Sequence, residues 1–408
     1  MSKKLKVAII GLGQRGGFLT NFLSAQEDVE FTHVCDNYSD RVRNAAEIIK
    51  KANRGNPEET TDFREVLRGN ADAVIVSTSW QTHMEVAIAS LKAGKITGME
   101  VGGAFSVRDC WDLVRAYEET KTPFMFLENC CYNKDELLAL KLARAGVLGE
   151  VVHCSGAYSH DLRYEIAALG RGSNHYRLDN YLRRNCENYP THELGPIAKI
   201  LDINRGNRMV SLVSMSSKAA GMEWYIKKNA GKLNADLQGR RFNQGDIVYT
   251  LIKCANGETI TLKLDTTLPG YYDRELTVKG TDGMYKQNSN SVVIDGIDDE
   301  EPFWEPIESL EHLKRNAERY NKLLPPVWRD ITEEQKNTGH GGMDGIMLRE
   351  FINRAKAGAE MPIDVYDAAA WMAVSFLSEE SINLGSMPVA IPDFTCGKWM
   401  TRPRCDVL

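Results

Sequence analysis

The chain has 408 residues, 43% of them hydrophobic and 26% charged, enough for two domains with full cores. Those proportions exclude a disordered chain, a collagen-like repeat and a disulfide-stapled miniprotein. Fifty Lys and Arg stand against 56 Asp and Glu, a net charge of -6, which argues against a nucleic-acid binder, since phosphate contacts need a basic surface.

The first apolar run, residues 5–10, is too short for the core of an export signal and reads as a buried strand. Nine cysteines, an odd number with no Cys-x-x-Cys pair, read as reduced thiols, so the expected compartment is the cytoplasm. No apolar run is long enough to span a membrane. From the first strand on, short apolar runs alternate with helical patterns. Helices are predicted over 18–25, 40–51, 84–93 and 107–120, and strands over 31–35, 73–77, 96–101 and 123–127. Gly94 closes the third of these helices. This rhythm predicts βαβ units, a doubly wound parallel sheet and a Rossmann domain over 1–127.

After Glu128 the rhythm changes. A helix over 136–145, a strand over 151–158 and a helix over 191–201 precede four β runs, 210–216, 246–254, 259–265 and 275–280. Asn256-Gly257 suits a tight hairpin turn between the second and third runs. β runs without intervening helices predict a large open antiparallel sheet in an α+β domain over 128–386. Residues 287–345 are loop-rich, helices follow over 344–357 and 365–384, and 387–408 is a tail.

Gly11-Leu12-Gly13-Gln14-Arg15-Gly16 lies directly after the first strand and opens a helix. Gly11 permits the tight turn, Gly13 lets a pyrophosphate approach the backbone, and Gly16 lets helix and strand pack closely. Asp36 ends the next strand, where an acid binds the adenosine ribose hydroxyls and repels a 2′-phosphate, so NAD is expected over NADP. Ser77-Thr78-Ser79-Trp80-Gln81-Thr82-His83 and Glu100-Val101-Gly102 follow further parallel strands, and ligands of such sheets sit at those strand ends. Trp80 also suits packing under its loop, and His83 suits a helix cap. Glu128 and Asn129 end the last parallel strand at the domain junction. Cys130 and Cys131, adjacent and so poorly placed for a disulfide, read as buried small residues.

Thr191 is the expected N-cap of a helix whose first turn carries His192, where the positive helix end favours a neutral imidazole. Beside Tyr189, His192 is a candidate proton-transfer group, or else a structural histidine. Gly339-His340-Gly341-Gly342-Met343-Asp344 is pliable enough to close over a ligand, which makes His340 a substrate-binding candidate. A plain loop with Asp344 as helix cap is the alternative. No His-x-x-x-His or Cys-His spacing points to a metal, and none is expected.

The Rossmann start, the change near residue 128 and the length resemble the Gfo/Idh/MocA oxidoreductases. Most of those carry Glu-Lys-Pro where this chain has Glu100-Val101-Gly102, so their lysine is absent. The runs from Leu127 to Tyr132, from His153 to Arg163, Tyr189-Pro190-Thr191-His192 with Leu194-Gly195-Pro196, Asp265 to Pro269 and Gly339 to Asp344 together resemble the NAD-dependent α-N-acetylgalactosaminidases of glycoside hydrolase family 109. That family commonly has Pro at the position of Gly102 and Gly at the position of Glu193.

The resemblance implies NAD contacts at Gln14, Arg15, Asp36, Trp80, His83, Glu100, Val101 and Asn129. It implies substrate contacts at Tyr158, Arg177, Tyr189, His192 and Tyr272. The implied cofactor is tightly held NAD. The implied chemistry is oxidation of a sugar at C3, loss of the C2 proton, elimination of the C1 substituent, water addition and re-reduction. Tyr189 and His192 would share the C3 hydroxyl and C2 proton transfers in either order. Glu128, Tyr158 and Tyr272 remain for acid work and ketone polarisation. A sugar dehydrogenase and a non-catalytic NAD-sensing protein are the competing readings. The expected assembly is a homodimer or tetramer with neither nucleic acid nor membrane as partner.

Overall fold

The computed structural model describes residues 3–168, 176–298 and 304–408. Part of the loop-rich stretch 287–345 therefore lies outside the described residues. The chain forms two compact units, residues 1–128 with 334–372 and 407, and residues 129–333 with 373–406 and 408.

The first unit contains a parallel sheet of six strands among the described residues, in the order β3-β2-β1-β4-β5-β6. Its elements are β1 (Leu5–Ile10), α1 (Gln14–Ser24), β2 (Val29–Cys35), α2 (Ser39–Lys51), β3 (Glu58–Thr60), α3 (Phe63–Arg68), β4 (Ala73–Val76), α4 (Trp80–Lys92), β5 (Ile96–Met99), α5 (Val107–Thr120) and β6 (Phe124–Phe126). β4 is Ala-Val-Ile-Val and wholly buried, the apolar run of a strand covered on both faces. α2 buries Val42, Ala45, Ala46 and Ile49, one stripe at helical spacing. β3 and α3 were not visible in the sequence pattern. β3 is three polar residues on the sheet edge, and α3 is a six-residue turn capped by Asp62, too short for a period.

α4 begins at Trp80 rather than at residue 84, because Ser79 is extended and ends the strand connection there. Trp80 and His83 thus stand in its first turn. The helix Met343–Ala357 belongs to this unit and buries Ile346, Met347 and Phe351. A Cβ on Gly98 of β5 would lie 2.9 Å from Ile75 and 3.2 Å from Phe351, so the bare backbone makes room for that ring.

The second unit contains an eight-stranded sheet among the described residues, ordered β13-β12-β11-β7-β10-β9-β8-β14. After helix α6 (Lys134–Arg144) come β7 (Val151–Ser159), helix α7 (Thr191–Ile200), β8 (Met209–Ser216), β9 (Ile247–Cys254), β10 (Thr259–Asp265), β11 (Thr277–Gly280), β12 (Gly283–Lys286), β13 (Ser291–Ile294) and β14 (Val389–Ala390). The expected antiparallel pattern holds except between β7 and β10, which run parallel. β7 enters about a hundred residues before β10, so no hairpin dictates its direction. At the β9–β10 turn only Gly257 takes a positive φ, +109°. Thr191 is not the N-cap of α7. Pro190 already has helical angles, φ -68° and ψ -21°, so the helix is entered one residue early and Thr191 is its first residue.

Candidate active site

The glycine motif closes a cradle between β1 and α1. A Cβ on Gly11 would lie 2.5 Å from the backbone of Ser77 and Thr78, and one on Gly16 only 1.9 Å from the Gly11 carbonyl. The Ser77 hydroxyl donates to that carbonyl at 2.7 Å. Gly13 differs, since its Cβ would meet only the tip of Arg41 at 3.7 Å. Gly11 and Gly16 are thus demanded by packing, while Gly13 keeps its backbone open. α1 starts at Gln14 with neither a side-chain cap nor an acidic residue in its first turn. An uncapped helix start of this kind attracts an anion.

Asp36, 9% exposed, is held at the end of β2 by the Leu12 N–H at 2.6 Å and the Tyr38 N–H at 2.9 Å. Arg41 lies 3.8 Å from it. A fixed carboxylate beside the cradle fits ribose hydroxyls, and its charge opposes a 2′-phosphate. The residues present therefore fit a dinucleotide.

At the β4 and β5 ends, Trp80 donates its indole N–H to the Val101 carbonyl at 2.9 Å, and His83 Nδ1 lies 3.3 Å from the Gly102 carbonyl. Gly102 and Gly103 have φ +83° and +107°. Side chains there would strike Trp80 at 2.2 Å and His83 at 2.5 Å. A proline at 102, as the family commonly carries, cannot adopt that φ. Burial pushes the His83 imidazole down to about 4, so it is neutral at neutral pH. Thr78 follows β4 and donates to the Ser79 carbonyl.

Arg15 is the hub of this unit's polar contacts. Its Nε donates to Glu100 at 2.8 Å, and its two terminal nitrogens grip both oxygens of Asp344 at 2.8 and 2.9 Å. His340 Nδ1 lies 2.6 Å from the same carboxylate. Burial works to raise the Asp344 carboxyl, but the hydrogen bonds from His340 and Arg15 outweigh it and hold it below the usual range. Burial pushes Glu100 upward despite Arg15.

Glu128 and Asn129 are buried where the chain passes from the first unit to the second. Cys130 and Cys131 are buried and not joined in a disulfide. In the second unit Tyr158, near the end of β7, is the centre of an aromatic cluster. Its ring stacks on Tyr189 at 4.6 Å and meets His192, His160 and Tyr272 edge-on at 5.5, 5.9 and 6.2 Å. Tyr189 and His192 are 4.7 Å apart. Arg177, with its guanidinium 4.8 Å from the Tyr189 ring, is paired to Glu165 at 2.7 Å. Tyr158, Arg177, Tyr189, His192 and Tyr272, spread over 115 positions of sequence, thus come together in this unit.

Sequence reasoning missed three members. His160 contacts both Tyr158 and Tyr272 and alternates with Tyr158, a strand-period signal that could have found it. Arg274 donates to the Tyr272 hydroxyl oxygen at 2.9 Å and is itself paired with buried Glu136, which also accepts from Gln287 at 2.9 Å. No local pattern links Glu136 to Arg274, 138 positions away.

A doubly wound sheet with a glycine cradle and a fixed acid at the end of β2, followed by an α+β unit on an open sheet, defines the Gfo/Idh/MocA class of oxidoreductase. The model of that class, "Oxidoreductase family, NAD-binding Rossmann fold", matches residues 5–127, and "Glycosyl hydrolase 109, C-terminal domain" matches 132–401. The chain belongs to glycoside hydrolase family 109, enzymes that act on sugars. It is 37% identical to a glycosyl hydrolase family 109 protein of Solibacter usitatus (strain Ellin6076), over 98% of this chain and 90% of that one. It is 35% identical to an alpha-N-acetylgalactosaminidase of Tannerella forsythia, over 98% and 88%. In fold it resembles levoglucosan dehydrogenase in complex with NADH and L-sorbose, at 16% identity and a TM-score of 0.70, covering 96% of this chain and all of that one.

Proposed function

We propose that this protein cleaves an N-acetylgalactosaminide-like glycoside by a redox-neutral route, with NAD held through the cycle. The carrying observation is that the chain combines an intact dinucleotide cradle with the Tyr158–Tyr189–His192–Tyr272 cluster, while Val101 replaces the lysine of ordinary sugar dehydrogenases. When bound, NAD supplies reversible oxidation at C3 of the sugar.

The chain's own residues then handle protons. Tyr189 Oη and the His192 imidazole take the C3 hydroxyl proton and the C2 proton between them. The acidified C2–H leaves as a proton, the C1–O bond breaks, and the leaving oxygen takes a proton from an acid. Tyr272 suits that acid. Its oxygen accepts from the Arg274 cation, which turns its own proton away from Arg274 and partly offsets the burial that pushes the phenol's pKa up. Water then adds at C1, C2 regains a proton, and C3 is reduced again. Glu128 is a second acid candidate, and Tyr158 aligns Tyr189 and His192 by ring contact.

The test is cleavage of a panel of aryl glycosides in heavy water, without added NAD. The expected outcome is phenol release, deuterium at C2 of the product and no accumulation of NADH. Stoichiometric NADH with an intact glycosidic bond would establish a dehydrogenase instead. Cleavage by protein stripped of NAD, without C2 exchange, would end the proposal.

A further inference from the structure

The Arg15 fork reaches outside the Rossmann sequence. Residues 339–344 lie more than 300 positions from the glycine motif, yet Asp344, whose side chain is fully buried, holds both terminal nitrogens of Arg15. The segment is shaped for this. Gly339, His340, Gly341 and Gly342 take φ of +94°, +45°, +71° and +106°, four left-handed residues in a row. A Cβ on Gly339 would lie 2.3 Å from Phe18 of α1 and 2.5 Å from the Asp344 carboxylate, and one on Gly345 would lie 2.2 Å from Thr338 and 2.9 Å from Phe22. The strap is thus pressed onto α1, the helix that the cradle opens. Arg15 also packs over the Phe18 ring, 5.5 Å from its centre.

Three of the five N–H groups of Arg15 go to the two carboxylates, one to Glu100 and two to Asp344. One N–H on each terminal nitrogen remains, on a side chain 27% exposed. A guanidinium held by three bonds has no rotamer freedom left to lose when a ligand arrives, which is the condition for slow release. His340, 58% exposed, closes the strap over Asp344 from the solvent side.

We propose that residues 339–344 form a cofactor-retaining strap, with Asp344 a positioning residue that locks Arg15 against the bound dinucleotide and His340 its outer latch. This rests on the proposed NAD-dependent cleavage, which needs the same cofactor molecule at the start and end of each turnover. A dehydrogenase, which exchanges its cofactor every cycle, has no use for such a lock.

The test measures the dissociation rate of NAD from purified holoprotein by fluorescence after dilution into a scavenging dehydrogenase. Wild type, Asp344→Asn and His340→Ala are compared, with the melting temperature of each protein stripped of NAD. Asp344→Asn should release NAD about tenfold faster or more, the scale set by one charge-assisted hydrogen bond. His340→Ala, altered at the surface and so expected to fold, should release it faster by a smaller factor with an unchanged stripped melting temperature. Equal release from His340→Ala and wild type, with Asp344→Asn either equal or lowered only in melting temperature, overturns the strap. A wild-type protein that binds no NAD would instead sink the cofactor proposal on which the strap depends.

Discussion

Tyr272 is oriented by its neighbour, and the proposed acid role follows from that orientation. With Arg274 donating into its oxygen and Glu136 anchoring Arg274, the phenol proton is available only outward. Tyr272→Phe should therefore lower kcat by about a hundredfold, the usual contribution of a general acid. The loss should be greatest for aryl glycosides with basic leaving groups, and a leaving-group series run on wild type and variant checks this. At the cradle, Asp36→Ala should relax the discrimination between NAD and NADP, since it removes the charge that opposes a 2′-phosphate while Arg41 stays nearby. Competitive binding of the two nucleotides measures it. Glu187, fully buried two residues before Tyr189, is pushed up to about 8 by burial, against the partial opposition of the Tyr189 N–H. The folded state then binds a proton that the unfolded chain releases near 4.5. Its contribution is fully present below that pH and is lost as pH rises toward about 8. Denaturant melts across this window should show the fall in wild type and a flatter profile in Glu187→Gln.

At the scale of elements, the loop after β5 and the first turn of α4 form one device. Trp80 and His83 occupy the space that side chains on Gly102 and Gly103 would fill. Gly102→Pro, the residue common in the family, should here weaken NAD binding and lower stability by about 1–3 kcal/mol, because proline cannot reach φ +83°. Calorimetry of NAD binding and a denaturant melt test both effects. Retention of tight binding in that variant would mean that the loop can take another path than the one at φ +83°. The period of α2 and the wholly apolar β4 are legible because each pattern is confined to a few consecutive residues. β12, β13 and β14 have two to four residues each and carry no period, so only their pairing in the sheet reveals them.

For the molecule as a whole, the outer face of the second unit's sheet carries an apolar patch on β8 and β9, beside the polar Thr259, Thr261 and Lys263 of β10. Met215 and Tyr249 are register partners on β8 and β9, Val213 and Leu251 are the next pair on that face, and Met215, Tyr249 and Leu251 are each at least half exposed. Such a contiguous patch is covered in stable soluble proteins, and we propose that a second copy of this chain covers it. Light scattering should give at least twice the 45.8 kDa chain mass, and Leu251→Glu should shift the protein toward monomer. A wild-type species at the chain mass alone refutes it. Among the described residues no helix is long and apolar enough to cross a membrane.

Legible along the chain are the local features: the glycine turn with Asp36 one strand later, the alternation that makes a parallel sheet, and the switch of rhythm after Glu128. These follow from φ preferences and hydrophobic period, which act over fewer than twenty residues. The tertiary structure alone decided that β7 lies parallel to β10, that Arg15 pairs with Asp344, and that Glu136 reaches Tyr272 through Arg274. Each of these joins residues about a hundred or more positions apart. Nothing in the intervening chain encodes such a meeting, and only the packing of the buried elements around it brings the two partners within hydrogen-bond reach.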